Sequence, residues 1–167
     1  MVADLGTIVK VEVSTDSINS AIDLCDDSEI FGDLGSILFN LKTDIELAAE
    51  DGLKTLAENN KSYQEDFISS NGSIVTGGLI NSIMVDETSD KEYYIGTFLD
   101  YAYYVEYGRG PVVPVTAKVL HFEIDGEDIF THYSGPAEPR PFVAPAFEKT
   151  ESEAISVIEE AINNVIN

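Results

Sequence analysis

The stretch LGSILFNLKTDIELAAEDGLKTL, residues 34–56, carries the clearest structural signal in this chain. Its apolar and small residues recur at steps of three and four, which predicts a long amphipathic helix with Asp33 as its N-cap. Gly52 costs about 1 kcal/mol relative to alanine inside a helix, so its presence predicts a close approach by another element. The predicted buried face consists of Leu34, Leu38, Leu41, Ile45, Ala48, Gly52 and Leu56.

The segment before this helix predicts a strand over residues 7–13, where apolar residues alternate with polar ones, and a short helix over residues 14–24. Cys25 is the single cysteine, which excludes an intrachain disulfide and a cysteine zinc site, and we expect it to be a small buried residue.

Two hairpins are predicted after the long helix. The first has a long polar loop over residues 86–91. The second turns at Asp125-Gly126, a dipeptide that accepts the positive φ angles of a two-residue turn. The predicted strands are residues 79–85 and 93–99 in the first hairpin, and residues 119–124 and 127–133 in the second.

The C-terminal part predicts an extended linker over residues 134–141, because its prolines lack the amide donors of a β-ladder. A helix is predicted from Pro145, with a buried face of Phe147, Ala154, Ile158, Ala161 and Val165. Together these elements predict a single α+β domain over residues 1–167. Its antiparallel sheet contains the two hairpins and the N-terminal strand, packed by the long helix and the C-terminal helix.

The charge of the chain is extreme, with 31 acidic residues against 9 basic ones and a net charge of −22. No cluster of lysine and arginine is available for a phosphate backbone, which argues against nucleic-acid binding. The dispersed acids favour a folded surface adapted to molar salt over an acidic mesophilic protein such as a DNA mimic. No apolar run approaches the length of a membrane span, and the start lacks a signal peptide, so we expect synthesis in the cytoplasm.

No set of residues forms a convincing catalytic or metal motif, so we expect no enzymatic activity and no cofactor or metal. The second hairpin could bring His121 and His132 near Glu123 or Asp128, but they lack the spacing of a catalytic zinc site. Glu106 lies in an aromatic stretch and needs hydration, a hydrogen bond or a cation, for which Arg109 is the nearest candidate. Glu106 and His121 remain the residues to test for a weaker enzymatic alternative.

The most informative segment for function is residues 101–107, which contains four tyrosines and leads into Gly108-Arg109-Gly110-Pro111. In a helix, Ala102, Val105 and Glu106 share one face, while the tyrosines spread around the rest. Tyrosine gives a large contact area at little entropic cost and is enriched at interfaces. We therefore expect some of these rings to contact another subunit and others to join the core.

Three segments in fixed order, residues 76–83 (TGGLINSI), 101–108 (YAYYVEYG) and 140–147 (RPFVAPAF), resemble the HK97 gp10-like family of tailed viruses and prophages. The resemblance covers about residues 34–166, which leaves residues 1–33 as a family-specific addition. The doubled glycine at Gly77-Gly78, the longer loop over residues 69–73 and the acidity depart from the family pattern. The acidity indicates a virus of a halophilic archaeon.

The resemblance implies a structural virion protein of the neck. Such a tail-completion subunit forms a homo-oligomeric ring, commonly a hexamer, between a head-closure or adaptor protein and the tail tube or tail terminator, with DNA passing through the ring. A closed ring needs two different patches that meet head to tail. The two expected patches are the tyrosine segment and the linker over residues 134–141. The interface candidates are Tyr101, Tyr103, Tyr104, Glu106, Tyr107, Arg109, Arg140 and Phe142. The alternative is an acidic binding module or DNA-mimic inhibitor of a basic protein.

Overall fold

The computed structural model describes residues 5–10, 19–20, 32–73, 77–89, 91–124 and 126–166. The chain is α+β, with a long helix and a C-terminal helix, so the predicted fold class is confirmed. The elements are β1 (Leu5–Lys10), α1 (Gly32–Ser70), a 3-10 turn (Ile80–Ser82), β2 (Met84–Ser89), β3 (Glu92–Thr97), α2 (Ala102–Tyr107), β4 (Leu120–Ile124), β5 (Glu127–Thr131) and α3 (Val143–Ile166).

Part of the predicted N-terminal region lies outside the described residues. β1 overlaps the predicted strand over residues 7–13, of which residues 11–13 are not described. Asn19 and Ser20 are helical, as predicted, and the rest of the predicted short helix and Cys25 lie outside the described residues.

The long helix α1 has 39 residues, a length of about 58 Å at 1.5 Å per residue. It packs against α3 in the opposite direction, and the contact is close at Gly52, where a Cβ would lie 2.8 Å from Ile158 Cδ1. The predicted role of Gly52 is thereby confirmed. The predicted N-cap is wrong, because Asp33 lies within α1 rather than before it.

The described strands form two separate antiparallel sheets rather than one. β3 lies between β1 and β2 in the first sheet, and β4 pairs with β5 in the second. The first hairpin also differs from prediction, because Ile80–Ser82 is a 3-10 turn and β2 continues to Ser89, which leaves a short connection to β3. β2 is an edge strand among the described strands, and Asp86, Glu87 and Thr88 of the predicted loop are exposed to water there.

The core lies where α1, the first sheet and the start of α3 meet, and its buried residues are Ala57, Ile68, Leu79, Ile83, Ile95, Ala102, Phe142 and Val143. A buried chain of polar side chains joins α1 to α3. Gln64 donates to Asn60 Oδ1 (2.8 Å), Asn60 Nδ2 donates to Thr150 Oγ1 (2.9 Å), and Thr150 donates to the carbonyl of Ala146 (2.9 Å). These bonds fix the register of the two helices, since buried polar groups need partners.

The predicted helix faces are correct near the core and wrong near the ends. Ala48, Gly52 and Leu56 of α1 are buried, whereas Leu34 is exposed. In α3 the described buried face contains Val143, Ala146 and Thr150, and the predicted Phe147 and Val165 are exposed. The choice of Phe147 over its neighbour Ala146 rotates the predicted face by about 100°.

Candidate interaction surface

The tyrosine segment folds into the short helix α2, and the two sides of this helix have opposite environments. Ala102 and Glu106 are buried, and Val105 packs against the core. The tyrosine rings point outward, with exposed fractions of 45 to 59 %. These are Tyr101, Tyr103, Tyr104 and Tyr107. The predicted division of α2 into two faces is confirmed, but none of the four tyrosines joins the core.

The exposed rings also pack on one another. Tyr103 meets Tyr104 edge to face at 5.8 Å between ring centroids, and it lies 4.8 Å from Tyr107 in a tilted arrangement. Such pairs are worth about 0.5–1.5 kcal/mol beyond their buried area, which limits the rotamers that each ring samples. The rings are thus held in place before any partner arrives, and this lowers the entropic cost of a contact.

Glu106 is the anchor between α2 and α3. Its exposed fraction is 3 %, and its carboxylate accepts hydrogen bonds from the backbone N–H groups of Phe142 (2.7 Å), Val143 (3.0 Å) and Ala144 (3.1 Å). These N–H groups lie at the first turn of α3, where they have no intrahelical acceptor and where the helix dipole favours a negative charge. Glu106 therefore acts as an N-cap supplied from a distant part of the chain.

Two predicted roles change as a result. The partner of Glu106 is the start of α3 and not Arg109, because a helix end offers three aligned donors in a buried site. Glu106 and Phe142 are also unsuited to an intersubunit contact, since Glu106 is committed within the chain and Phe142 is fully buried in the core. Glu106 is instead a structural anchor within the chain.

Gly108 lets the chain leave α2 in close contact with the linker over residues 134–141. Its φ is +73°, a backbone conformation that other residues adopt only with strain. A Cβ at this position would also lie 2.6 Å from the carbonyl oxygen of Ala137 and would clash with it. Directly after it, Arg109 pairs with Ala137 and Val112 with Ser134 through antiparallel backbone bonds. The linker is extended as predicted, but it also forms a ribbon with residues 109–112.

The ribbon and the hairpin β4–β5 form one projection, which we call the arm (residues 109–124 and 126–137). Arg109 stiffens its base, because its guanidinium donates to the carbonyl of Gly135 (2.9 Å) and to Ser134 Oγ (2.7 Å). The turn of the predicted second hairpin is confirmed by the strand bounds and by a φ of +82° at Gly126.

A groove of about 670 Å³ lies between α2, the end of α1, the 3-10 turn and the base of the arm. We call it the tyrosine groove; its apolar lining is Ile68, Leu79, Ile80, Tyr101, Tyr104 and Val105. Arg140 also lines it, and Glu138 is the one acidic residue among the described lining. The groove therefore combines aliphatic walls, two tyrosines and a guanidinium.

The segments that build this groove contain few acidic residues, although the chain as a whole is strongly acidic. No aspartate or glutamate occurs in residues 67–85, 107–122 or 139–147. The first and third of these ranges, with α2, supply most of the groove. The sequence indicates this low-acid surface only through gaps in the distribution of its acidic residues, which no motif describes.

The two arginines of the chain both lie beside this groove and the arm. The side chain of Arg140 donates to the carbonyl of Gly72 (2.7 Å), and that of Arg109 donates to carbonyl and hydroxyl oxygens. Within the described residues, neither arginine forms an ion pair with a carboxylate, whereas Lys42, Lys61 and Lys91 each do. Arg140 is exposed, so part of its guanidinium can still bind a carboxylate from outside the chain.

The histidines of the second hairpin do not come together as a metal site. His121 Nε2 lies 2.7 Å from Asp128 Oδ1, and the His121 ring stacks on Phe130 at 4.6 Å. His132 lies beyond the end of β5. Among the described residues there is no group of three or more histidine, cysteine, aspartate and glutamate side chains that could hold a metal ion.

The chain matches no protein-family model, no curated protein and no solved structure. None of the helices in the described ranges combines the length and the apolar character needed to cross a bilayer.

Proposed function

We propose that this protein is a non-enzymatic ring subunit of a virion neck, a tail-completion protein that joins a head-closure ring to a tail tube. The proposal takes its biological setting from the three ordered motifs of the resemblance. The observation that carries it is the tyrosine groove, an aromatic surface with one acidic residue in its described lining, on a chain with a net charge of −22.

An association surface of this kind suits an oligomer of acidic subunits. Each added subunit brings another 22 negative charges, and the repulsion is least where the facing surfaces carry no acids. At about 1 M salt the Debye length is only about 3 Å, so the remaining acids interact weakly across the contact. A ring with an acidic surface also offers few cations to the phosphates of DNA that passes through it.

The buried position of Glu106 agrees with a structural role. Both of its carboxylate oxygens accept bonds from the first turn of α3, and its side chain is almost inaccessible to water. A general base needs access to the proton that it removes. Glu106 thus serves to stabilise the fold.

The salt dependence of the oligomer tests this proposal. We expect an oligomer in molar KCl that dissociates as salt is lowered to about 0.1 M, because the Debye length then grows to about 10 Å. Light scattering at a series of salt concentrations measures the mass, and purified head-closure and tail proteins test binding at either face of the ring. A protein that is monomeric in molar salt and binds neither would contradict the proposal.

A second candidate, an acidic binding module or DNA mimic, is favoured by the exposed glutamates of α3. They are Glu148, Glu151, Glu159 and Glu160. Its salt dependence has the opposite sign, since attraction between an acidic mimic and a basic partner strengthens as salt is lowered. The same salt series, with a basic DNA-binding protein added, therefore separates the two candidates.

A further inference from the structure

The hairpin of the arm has few contacts with the other described helices and strands. β4 and β5 contact mainly each other, in a ladder that runs from Leu120 opposite Thr131 to Ile124 opposite Glu127. An isolated two-stranded hairpin is only marginally stable in water. The arm therefore has surface that a further contact would stabilise.

The two faces of the hairpin differ, because side chains alternate along a strand and directly paired residues share a face. One face contains Leu120, Phe122 and Ile129, and its Phe122 and Leu120 line a small cavity at the base of the arm. The other face contains His121, Glu123, Asp128 and Phe130. Phe130 is 63 % exposed, and Glu123 is exposed as well. The second face thus presents an aromatic ring with carboxylates beside it.

This face has the chemistry that complements the tyrosine groove. Phe130 matches the aliphatic and aromatic walls, since aromatic pairs add to the effect of buried area. Glu123 matches Arg140, whose guanidinium has no described carboxylate partner within the chain. A carboxylate and a guanidinium form strong paired hydrogen bonds when they are brought together at the edge of an apolar contact.

We propose that the tyrosine groove binds the hairpin of a second copy of this chain, with Phe130 against Tyr101 and Tyr104 and Glu123 paired with Arg140. The inference rests on the proposed ring and names its contact. The hairpin and the groove are different patches, so the contact is head to tail and can close into a ring. Neither Phe130 nor Glu123 lines the groove of its own chain, so the proposed occupant is the hairpin of another molecule.

Charge explains why the occupant is a copy of this chain rather than a basic protein. A basic partner is attracted to the acidic surface of α1 and α3, and the groove is the surface that offers it least. The groove instead suits an acidic partner that brings an aromatic side chain. The hairpin, with Glu123 and Asp128 on the same face as Phe130, is such a partner.

Cross-linking between two single-cysteine proteins tests the contact directly. In a Cys25→Ser background, Tyr104→Cys protein is mixed with mass-tagged Phe130→Cys protein in molar salt and treated with a short thiol cross-linker. We expect a cross-linked pair of one tagged and one untagged chain. Ile155→Cys serves as the matched control for Tyr104→Cys, because Ile155 is an exposed apolar residue of α3, 74 % exposed. We expect little product from the control pair.

A charge reversal tests the ion pair separately. Arg140→Glu and Glu123→Arg each place like charges at the contact, and we expect each to weaken association about tenfold or more, which corresponds to about 1.4 kcal/mol. The double variant R140E/E123R restores opposite charges at every contact and is expected to recover association. R140E/E159R is the matched control, since it has the same net charge but reverses an exposed glutamate on α3, and it is expected to stay weak.

The outcomes separate this inference from the proposed function. An oligomer that gives no Tyr104 to Phe130 product and is not restored by the charge swap overturns the hairpin contact while the ring stands. A monomer at every salt concentration overturns both. The cross-linking pair retains Arg140, so its result holds even where Arg140→Glu impairs folding through the lost bond to Gly72.

Discussion

Two regions of the molecule differ in the contacts that their side chains make. One is the contact between α1 and α3, and the other is the surface formed by the tyrosine groove and the arm. Between α1 and α3, polar side chains bond to each other, as Asn60 does with Thr150 and Tyr63 with Glu153. Around the groove, tyrosines and valines are exposed and both arginines lack a described carboxylate partner. The contacts that stabilise the fold and the surface proposed for association therefore lie in separate parts of the molecule, and we expect that each can be changed without the other.

The largest expected effect is on the anchor that joins these two regions. Glu106→Ala leaves three N–H groups at the start of α3 without their acceptor in a buried site, and we expect a loss of about 3 kcal/mol in the free energy of unfolding. Denaturant unfolding in molar salt measures it. Glu159→Ala, which removes an exposed glutamate from α3, is the matched control and is expected to change little. A loss below about 1 kcal/mol for Glu106→Ala would contradict the anchor.

The next effect concerns the close contact of the two long helices. Gly52→Leu places a branched side chain where even a Cβ would lie 2.8 Å from Ile158 Cδ1, and we expect a loss of about 2 kcal/mol from overpacking. Adding Ile158→Ala removes the obstructing atoms, so the double variant should be more stable than the sum of the two single changes predicts. Strict additivity in thermal or denaturant unfolding would show that the helices separate to accept the leucine.

These two positions also show how far the sequence could predict the structure. The helical period of residues 34–56 predicted α1, and a lone glycine on its buried face predicted the approach of α3, because both are local signals. The partner of Glu106 was not predictable, since the three N–H groups lie 36 to 38 residues further along the chain. Nor could the chain reveal that its two hairpins form separate sheets, which depends on long-range packing.

The candidate surface was predictable in part for the same reason. The period of α2 separated the buried Ala102 and Glu106 from the tyrosines, but it could not show that all four rings remain exposed. Phe142 was mistaken for a contact residue because it lies in a proline-rich segment without a helical or strand period. Its burial comes from the core that α1, α2 and the first sheet complete around it.

A pH titration tests one of the polar contacts between α1 and α3. Tyr63 donates hydrogen bonds to both carboxylate oxygens of Glu153, and this bond, with desolvation and the nearby acids, raises the pKa of Tyr63 to about 12. In the unfolded chain the phenol of Tyr63 has its ordinary pKa of 10.0. The stabilisation of the folded protein by the Tyr63–Glu153 bond is therefore complete below pH 10 and is lost as pH rises toward 12. We expect the stability of the parent to fall relative to Tyr63→Phe within that window.

Ultraviolet absorbance of the phenolate provides the matching readout for this prediction. The difference between the titrations of the parent and of Tyr63→Phe isolates one of the eight tyrosines of the chain. A difference curve centred near pH 10 would mean that Glu153 does not hold the phenol in solution.

The smallest expected effect on stability belongs to the groove. Tyr104 is 52 % exposed, so Tyr104→Ser should change the free energy of unfolding by less than about 0.5 kcal/mol. Association in molar salt should nevertheless weaken about tenfold, since truncated aromatic residues dominate losses at interfaces. Ile155→Ser, at an equally apolar exposed site on α3, should change neither quantity. Equal losses in the free energy of unfolding for Tyr104→Ser and Glu106→Ala would contradict the division of the molecule into these two regions.

The distant cap on α3 also has a consequence for the order of folding. A helix is costly to nucleate, and the first turn of α3 gains its acceptor only after α2 has formed and presents Glu106. Since α2 precedes α3 in the chain, Glu106 is synthesised before the N–H groups that it caps. The amide hydrogens of Phe142, Val143 and Ala144 should therefore exchange with solvent only in openings that also release α2, which makes three adjacent amides a reporter for a segment far from them in sequence.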